Sequence, residues 1–288
     1  MKLIKKVNIL IVGLGLLGGS YAKGLKKLGF TVNAITKDRF SIDYAMENGI
    51  IDNGTTDVNP EMIGEADLVV FALYPHTFIE WIRENQQYFK SGAVITDVTG
   101  VKGCVVHEIQ DMLREDVEYI AAHPMAGKEV SGVVNSDDAI FKGANYIVVP
   151  TEKNTPEAIE LCRNLGEILG FKQVAELGVE EHDRMIAFLS QLTHCIAVSL
   201  MCCNNTPGLE SYTGDSFRDL TRIARINDEM WSELFLSNRE VLLTEMERFR
   251  SSFDELYDRI KNGDRDGMRE MMRLSTERRK LFDKKDNK

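Results

Sequence analysis

His123 closes an apolar run in Ala121-Ala122-His123-Pro124-Met125-Ala126-Gly127. A histidine at the end of a buried strand can take a proton, or a strong hydrogen bond, from a hydroxyl whose carbon is losing a hydride. The plainer alternative is a histidine that caps the strand through backbone bonds. Asp97, Thr99 and Lys102 end another apolar run in Asp97-Val98-Thr99-Gly100-Val101-Lys102, again as polar groups at a strand end. Asp219 and Arg222 stand three apart, so on a helix the acid would orient the guanidinium as a fork for a carboxylate. Gln191 and His194 share a helix face by the same spacing, and His194 interrupts an apolar stretch, so it needs a partner or a cavity. His182 and His194 are twelve apart, about a third of a turn off a common face, and no cluster completes a ligand shell, so no metal site is expected.

What would take the hydride is written at the start of the chain. Val7–Val12 is a short run of mostly branched apolar residues, the pattern of a buried parallel strand. Gly13, Gly15 and Gly18 follow in G-x-G-x-x-G spacing, and Leu16 and Leu17 open an amphipathic segment that stops at Gly29. The first glycine permits a tight turn, the second admits a pyrophosphate, and the third lets helix pack on strand. A dinucleotide would lie against the helix N-terminus. The second strand ends Thr36-Lys37-Asp38-Arg39, where NAD enzymes place an acid for the ribose. Thr36 holds that position. Lys37 and Arg39 suit a 2′-phosphate, which leans the expectation slightly to NADP over NAD, while Asp38 is the acid within reach of the ribose. Leu73 and Pro75, at the end of the strand Asp67–Leu73, complete the expected cofactor edge.

The elements that must position these groups alternate as far as Leu177. Strands are predicted at Thr31–Thr36, Asp67–Leu73, Ala93–Asp97, Val117–Ala122, Asn145–Val149 and Phe171–Leu177. Helices are predicted at Ser41–Asn48, Thr77–Phe89, Lys102–Leu113 and Thr155–Leu169. Such alternation predicts a mostly parallel, doubly wound sheet with ligands outside the carboxyl ends of its strands. From Gly178 only helices are expected: a long one over Val179–Asn204, a shorter one near Phe217–Arg225, another from Asn227 to about Lys261, and a last one over Asp264–Lys280. The third would be ~34 residues and ~50 Å long with a broad apolar stripe. A homodimer built on these helices follows from the apolar surface left exposed otherwise. The expected boundary divides residues 1–177 from 178–288.

The chain has 288 residues and a net charge of −10, which argues against nucleic-acid binding. Arginines focused locally still suit an anionic substrate. Five cysteines lack C-x-x-C spacing and are expected reduced and buried, as in a cytoplasmic protein. Lys2, Lys5 and Lys6 before an apolar run imitate a secretion signal, but the glycine fingerprint occupies the would-be cleavage region. No apolar run is expected to reach membrane-spanning length. Asp283–Lys288 is a charged tail.

Together these stretches resemble the prephenate/arogenate dehydrogenase family. The matching segments are VGLGLLGGSYAKGL, TDVTGVK, AAHPMAGKEVSG, EHDRMIAFLSQLTH and FRDLTRIARINDEMWSELFLSN, in that order and across nearly the whole chain. The resemblance implies a Rossmann-type doubly wound parallel sheet followed by an all-α dimerisation domain. It implies that His123 is the catalytic histidine and His194 a second active-site histidine. It also implies that Arg222 holds a substrate carboxylate and that Trp231 lies near the substrate. Many members have Ser where this chain has Gly100, a serine that helps the catalytic histidine, and Thr99 is the nearby hydroxyl to replace it. Many have His in place of Gln191. The implied reaction is NAD(P)-dependent oxidative decarboxylation of prephenate or arogenate, without metal. A β-hydroxyacid or imine-reducing dehydrogenase is the alternative, but such enzymes place a lysine on the first long helix, and Val179–Asn204 has none.

Overall fold

The computed structural model describes residues 7–283. Lys2, Lys5, Lys6 and all of the tail beyond Asp283 lie outside the described residues. The strands and helices alternate first: β1 (Asn8–Val12), α1 (Leu16–Lys27), β2 (Thr31–Ile35), α2 (Arg39–Glu47), β3 (Asn53–Thr55), α3 (Pro60–Glu65), β4 (Leu68–Phe71), α4 (Pro75–Asn85), β5 (Val94–Asp97), α5 (Val106–Met112) and β6 (Glu118–Tyr119). These six strands form one parallel sheet in the order β3-β2-β1-β4-β5-β6. Alternation along each strand feeds two cores. Ile9, Ile11, Leu68 and Val70 face one layer, while Leu10, Val12, Val69 and Phe71 face the other. The expected doubly wound sheet is therefore present.

The run expected as one strand over Val117–Ala122 is two. After β6 the chain breaks at Ile120, and β7 (Ala121–Pro124) joins a second sheet of order β7-β8-β9 with β8 (Asn145–Val149) and β9 (Gln173–Glu176). β7 runs antiparallel to β8 and pairs His123 with Ile147. His123 thus lies within a strand, not just past one. Between β8 and β9 runs α6 (Pro156–Ile168).

From Gly178 the elements are helical: α7 (Val179–Ile186), a single π-helical turn (Ala187–Gln191), α8 (Leu192–Cys202), α9 (Asp215–Thr221), a 3₁₀ turn (Arg222–Ala224), α10 (Asp228–Ser237), α11 (Arg239–Lys261) and α12 (Arg265–Lys280). The expected ~34-residue helix breaks at Asn238, whose side chain is drawn inward to donate to Asp183 O at 3.0 Å and Gln191 Oε1 at 2.8 Å. Val179–Cys202 spans 24 residues and contains an 18-residue window with a mean hydropathy of 1.7, enough by length and composition to cross a membrane. This corrects the expectation that no apolar run reaches that length. Its polar residues His182, Asp183 and Gln191 are hydrogen-bonded within the protein. The chain divides into two compact units, Met1–Arg239 and Glu240–Lys288.

The cysteines correct another expectation. All five are free, but only Cys162 is buried, and Cys202 and Cys203 are exposed. Burial pushes the thiols of Cys104 and Cys162 up to about 11, which keeps both protonated.

At the carboxyl end of β5 lies a polar network sealed from water. Lys102 and Asp97 are both fully buried, with Nζ 2.6 Å from Asp97 Oδ2 and 2.5 Å from the Ala122 carbonyl. Asp97 Oδ1 accepts from Tyr119 OH at 2.9 Å and from Ala122 N at 3.1 Å. Through these bonds the end of β5 is tied to the start of β7. Removing one partner of such a pair strands a buried charge. Lys102→Met is expected to lower unfolding stability by about 3–5 kcal/mol in urea titration, with part regained in the Asp97→Asn, Lys102→Met double variant.

Candidate active site

The glycine loop is built for a phosphate group. Gly13 takes φ +93°, and a Cβ there would lie 2.4 Å from the Ala72 carbonyl oxygen and 2.8 Å from Leu73 Cδ2. A Cβ at Gly18 would lie 2.0 Å from the Gly13 carbonyl oxygen. These two glycines serve the protein's own packing. Gly15 is different: a Cβ there would meet nothing within 4 Å. It stands as N-cap of α1, whose first amides, beginning at Leu16 and Leu17, have no side-chain cap. Open space over unsatisfied amides is what a pyrophosphate requires. The residues therefore fit a dinucleotide.

At the end of β2, Asp38 is engaged within the protein. It caps α2, accepting from Ser41 N at 3.1 Å and Ser41 Oγ at 2.6 Å. Thr36 is half-buried, Lys37 is exposed, and Arg39 donates to Thr56 Oγ1 at 3.1 Å. Leu73 packs over Gly13, and Pro75 opens α4. Glu233 of α10 clasps that same helix start, accepting from His76 N at 2.9 Å, with Oε2 2.8 Å from His76 Nδ1. Asn227 donates to Tyr74 OH at 3.3 Å. These bonds hold α10, which carries Trp231, against the cofactor edge.

His123 and His182 meet at 2.9 Å, Nδ1 to Nε2. His182 Nδ1 lies 2.7 Å from Asp183 Oδ1. Asp183 also accepts from Lys102 N at 2.8 Å and Gly103 N at 2.7 Å. His182 and Asp183 are functional candidates that the sequence reading missed. The signal in the sequence is an acid directly after a histidine at a helix start. Burial pushes the His123 imidazole well below the usual histidine range, and the neighbouring His182 and the Lys102 charge push it the same way. Burial also lowers His182.

A second cluster gathers around Arg222. His194 stacks on Trp231 with ring centroids 3.7 Å apart and planes inclined by 29°. Its Nδ1 is 2.9 Å from the Ser190 carbonyl oxygen, an acceptor, so Nδ1 carries the proton and Nε2 remains free to accept. Burial lowers the His194 imidazole, opposed by its Ser190 bond and by Glu129, while Arg222 assists the lowering. Arg222 is ion-paired with Glu129, in the segment that leaves β7.

Three expected roles change with these contacts. Asp219 does not orient Arg222: among the described residues it has no ion pair, because the chain passes from α-helix to 3₁₀ turn at Arg222 and loses the i,i+3 geometry. Glu129 takes that place. Gln191 is buried between helices, donating to Leu234 O at 2.8 Å and accepting from Asn238, so both ends of its amide are engaged. Thr99 is buried too. Its hydroxyl donates to Asp97 Oδ2 and receives from Lys102 Nζ at 3.1 Å, inside the sealed network rather than beside His123.

The π turn lies between the two clusters. It inserts one residue into the helix, so the twelve positions from His182 to His194 turn like eleven. Eleven residues are about three full turns at 3.6 per turn, which brings the two histidines back toward one side.

A dinucleotide loop, a half-buried histidine with a lowered imidazole and an arginine on separate elements define a dinucleotide-dependent dehydrogenase. Comparison with known proteins sharpens this. Residues 21–175 match the family model for the prephenate dehydrogenase nucleotide-binding domain, and residues 178–274 match the prephenate dehydrogenase dimerization domain. A prephenate dehydrogenase of Lactococcus lactis is 32% identical over 265 residues, covering 89% of this chain and 72% of the relative. A cyclohexadienyl dehydrogenase of Zymomonas mobilis is 28% identical, covering 94% of each. The crystal structure of Aquifex aeolicus prephenate dehydrogenase with hydroxyphenyl propionate and NAD+ superposes with a TM-score of 0.90 at 30% identity, covering 98% of this chain and 100% of that one. The chain belongs to the prephenate dehydrogenase family. It is an NAD(P)-dependent oxidoreductase.

Two outcomes follow from the geometry. Gly15→Ala is expected to fold with an unchanged melting temperature yet bind dinucleotide at least about tenfold more weakly in fluorescence titration, since the methyl meets ligand and not protein. Were His123 the base, its lowered value would keep it deprotonated as pH falls through the ordinary histidine range. The acid limb of kcat/KM is therefore expected below pH ~6.5 in a pH–rate profile.

Proposed function

We propose that this chain is a cytoplasmic, homodimeric prephenate dehydrogenase that converts prephenate to 4-hydroxyphenylpyruvate in tyrosine biosynthesis. The observation that carries the reading is a half-buried His123, its imidazole held well below the usual histidine range, on a strand joined to the cofactor-bearing sheet through Lys102 and Asp97. A base held there serves a substrate whose hydroxyl-bearing carbon gives up a hydride. The bound nicotinamide supplies the acceptor for that hydride. His123 takes the proton of the 4-hydroxyl, so the O–H pair becomes the second bond of a carbonyl. The ring carboxylate then leaves as carbon dioxide; its bond pair passes through the ring to the carbonyl oxygen, which takes the proton back from His123, and the ring becomes aromatic. Arg222 anchors a carboxylate of the dianionic substrate after exchanging Glu129 for it, and His194 and Trp231 line the ring. The domain boundary falls at 177/178 in this reading, where strands give way to helices. The apolar faces of the later helices, with Phe188, Leu189 and Leu220 exposed, support association with a second copy.

On the cofactor, the reading leans to NADP. Asp38 is committed to capping α2, Lys37 is exposed, and Arg39 is a surface cation at the end of β2. Nothing acidic is left at Thr36 to repel a 2′-phosphate.

The test is reduction at 340 nm with prephenate or arogenate and NAD or NADP. Turnover is expected with prephenate, with NADP at least equal to NAD in kcat/KM. No turnover with any of the four pairs would sink the proposal. His123→Ala is expected to lose ~10²–10⁴ in kcat. Arg222→Ala should act mainly by raising KM for the substrate.

A further inference from the structure

The direction of every hydrogen bond in the chain from Asp183 to His123 follows from two peptide groups. Lys102 N and Gly103 N can only donate, and they point at Asp183 Oδ1 and Oδ2 from 2.8 and 2.7 Å. Asp183 must therefore present lone pairs on both oxygens, as a carboxylate. Oδ1 also lies 2.7 Å from His182 Nδ1, so that nitrogen carries a proton. In a neutral ring the other nitrogen is bare. His182 Nε2, bare, lies 2.9 Å from His123 Nδ1 and can only accept, so His123 Nδ1 is the donor. One position on the His123 ring remains, Nε2, and it is left without a proton. Burial favours the neutral form of both rings, which agrees with this sequence of donors and acceptors.

We infer that His182 and Asp183 are positioning residues that fix His123 in the tautomer with a bare Nε2, the form able to take the substrate hydroxyl proton. This rests on the reading of His123 as the base in prephenate oxidation. When the hydroxyl oxygen passes its proton to His123 Nε2, the ring becomes an imidazolium. Its Nδ1–H bond to His182 then becomes charge-assisted and strengthens as the hydride departs. The acceptor sits on α7 and the base on β7, so this dyad also sets how the first helix after the sheets meets the second sheet. Thr99, spent on Asp97, and Gly100, without a hydroxyl, leave His182 as the side chain hydrogen-bonded to His123.

The intact enzyme, labelled with nitrogen-15 in its five histidines, tests this without substrate. Two-bond nitrogen–proton correlations at pH 7 should show His123 and His182 as neutral rings protonated at Nδ1. A His123 ring protonated at Nε2, or charged, would overturn the inference. Kinetics give a second reading. His182→Leu removes the acceptor and should cost ~10²–10⁴ in kcat, with KM within about threefold of wild type. His182→Gln returns an acceptor oxygen and should recover most of the loss. A His182→Leu enzyme with near wild-type kcat, or a Gln variant as impaired as Leu, would overturn the inference. Should the wild-type enzyme turn over none of the four substrate and cofactor pairs, the proposed function fails while the tautomer measurement still decides this inference.

Discussion

A single carboxylate sets the orientation of the chemistry. Asp183 takes two peptide amides, at Lys102 and Gly103, and one imidazole nitrogen. A Cβ at Gly103 would lie 2.9 Å from Asp183 Oδ2, so the glycine is what permits this approach. The amides belong to the turn after β5 and the imidazole to α7. One group thus joins the parallel sheet to the first helix beyond it, and the buried Lys102 joins the same turn to β7 through the Ala122 carbonyl. Buried polar networks of this kind tolerate little, because each member left unpaired costs more than its bond contributes. That intolerance is useful here: it holds a ring that must present one nitrogen and not the other.

Charge is handled differently in the two clusters. Around His123 one ammonium is sealed in with two carboxylates, and burial, with His182 and Lys102, holds the imidazole well below the usual histidine range. Around Arg222 the ion pair with Glu129 is exposed, with 63% of the arginine side chain open to solvent. An exposed pair holds weakly and exchanges partners at little cost. The first arrangement suits a base that must be ready before substrate arrives. The second suits a charge that must let go of one carboxylate to take another.

Much of this was legible from residues close together in sequence. The glycine loop was legible because turn, phosphate seat and helix start are local events with strict residue demands. The two-layered sheet followed from alternation, and His123 from its place at an apolar run. What failed depended on partners far away. Asp219 was matched to Arg222 by helical spacing, but the helix changes type at Arg222 itself. Gln191 reads as a site residue until Leu234 and Asn238 occupy both ends of its amide. The break at Asn238 carries no glycine or proline. It is made by two acceptors, Asp183 O and Gln191 Oε1, that are more than forty positions earlier. Thr99 reads as a free hydroxyl only while the burial of Asp97 is unseen.

The π turn at Ala187–Gln191 makes chain length itself a functional quantity. Surface loops accept insertions and deletions cheaply. Here one residue more or fewer between His182 and His194 would swing the second histidine by about 100° around the helix, away from Trp231. Divergence in this stretch is therefore expected to proceed by substitution at constant length. An alignment of relatives that opens a gap between these two histidines would be marking a change of active-site geometry, however well the flanking residues agree.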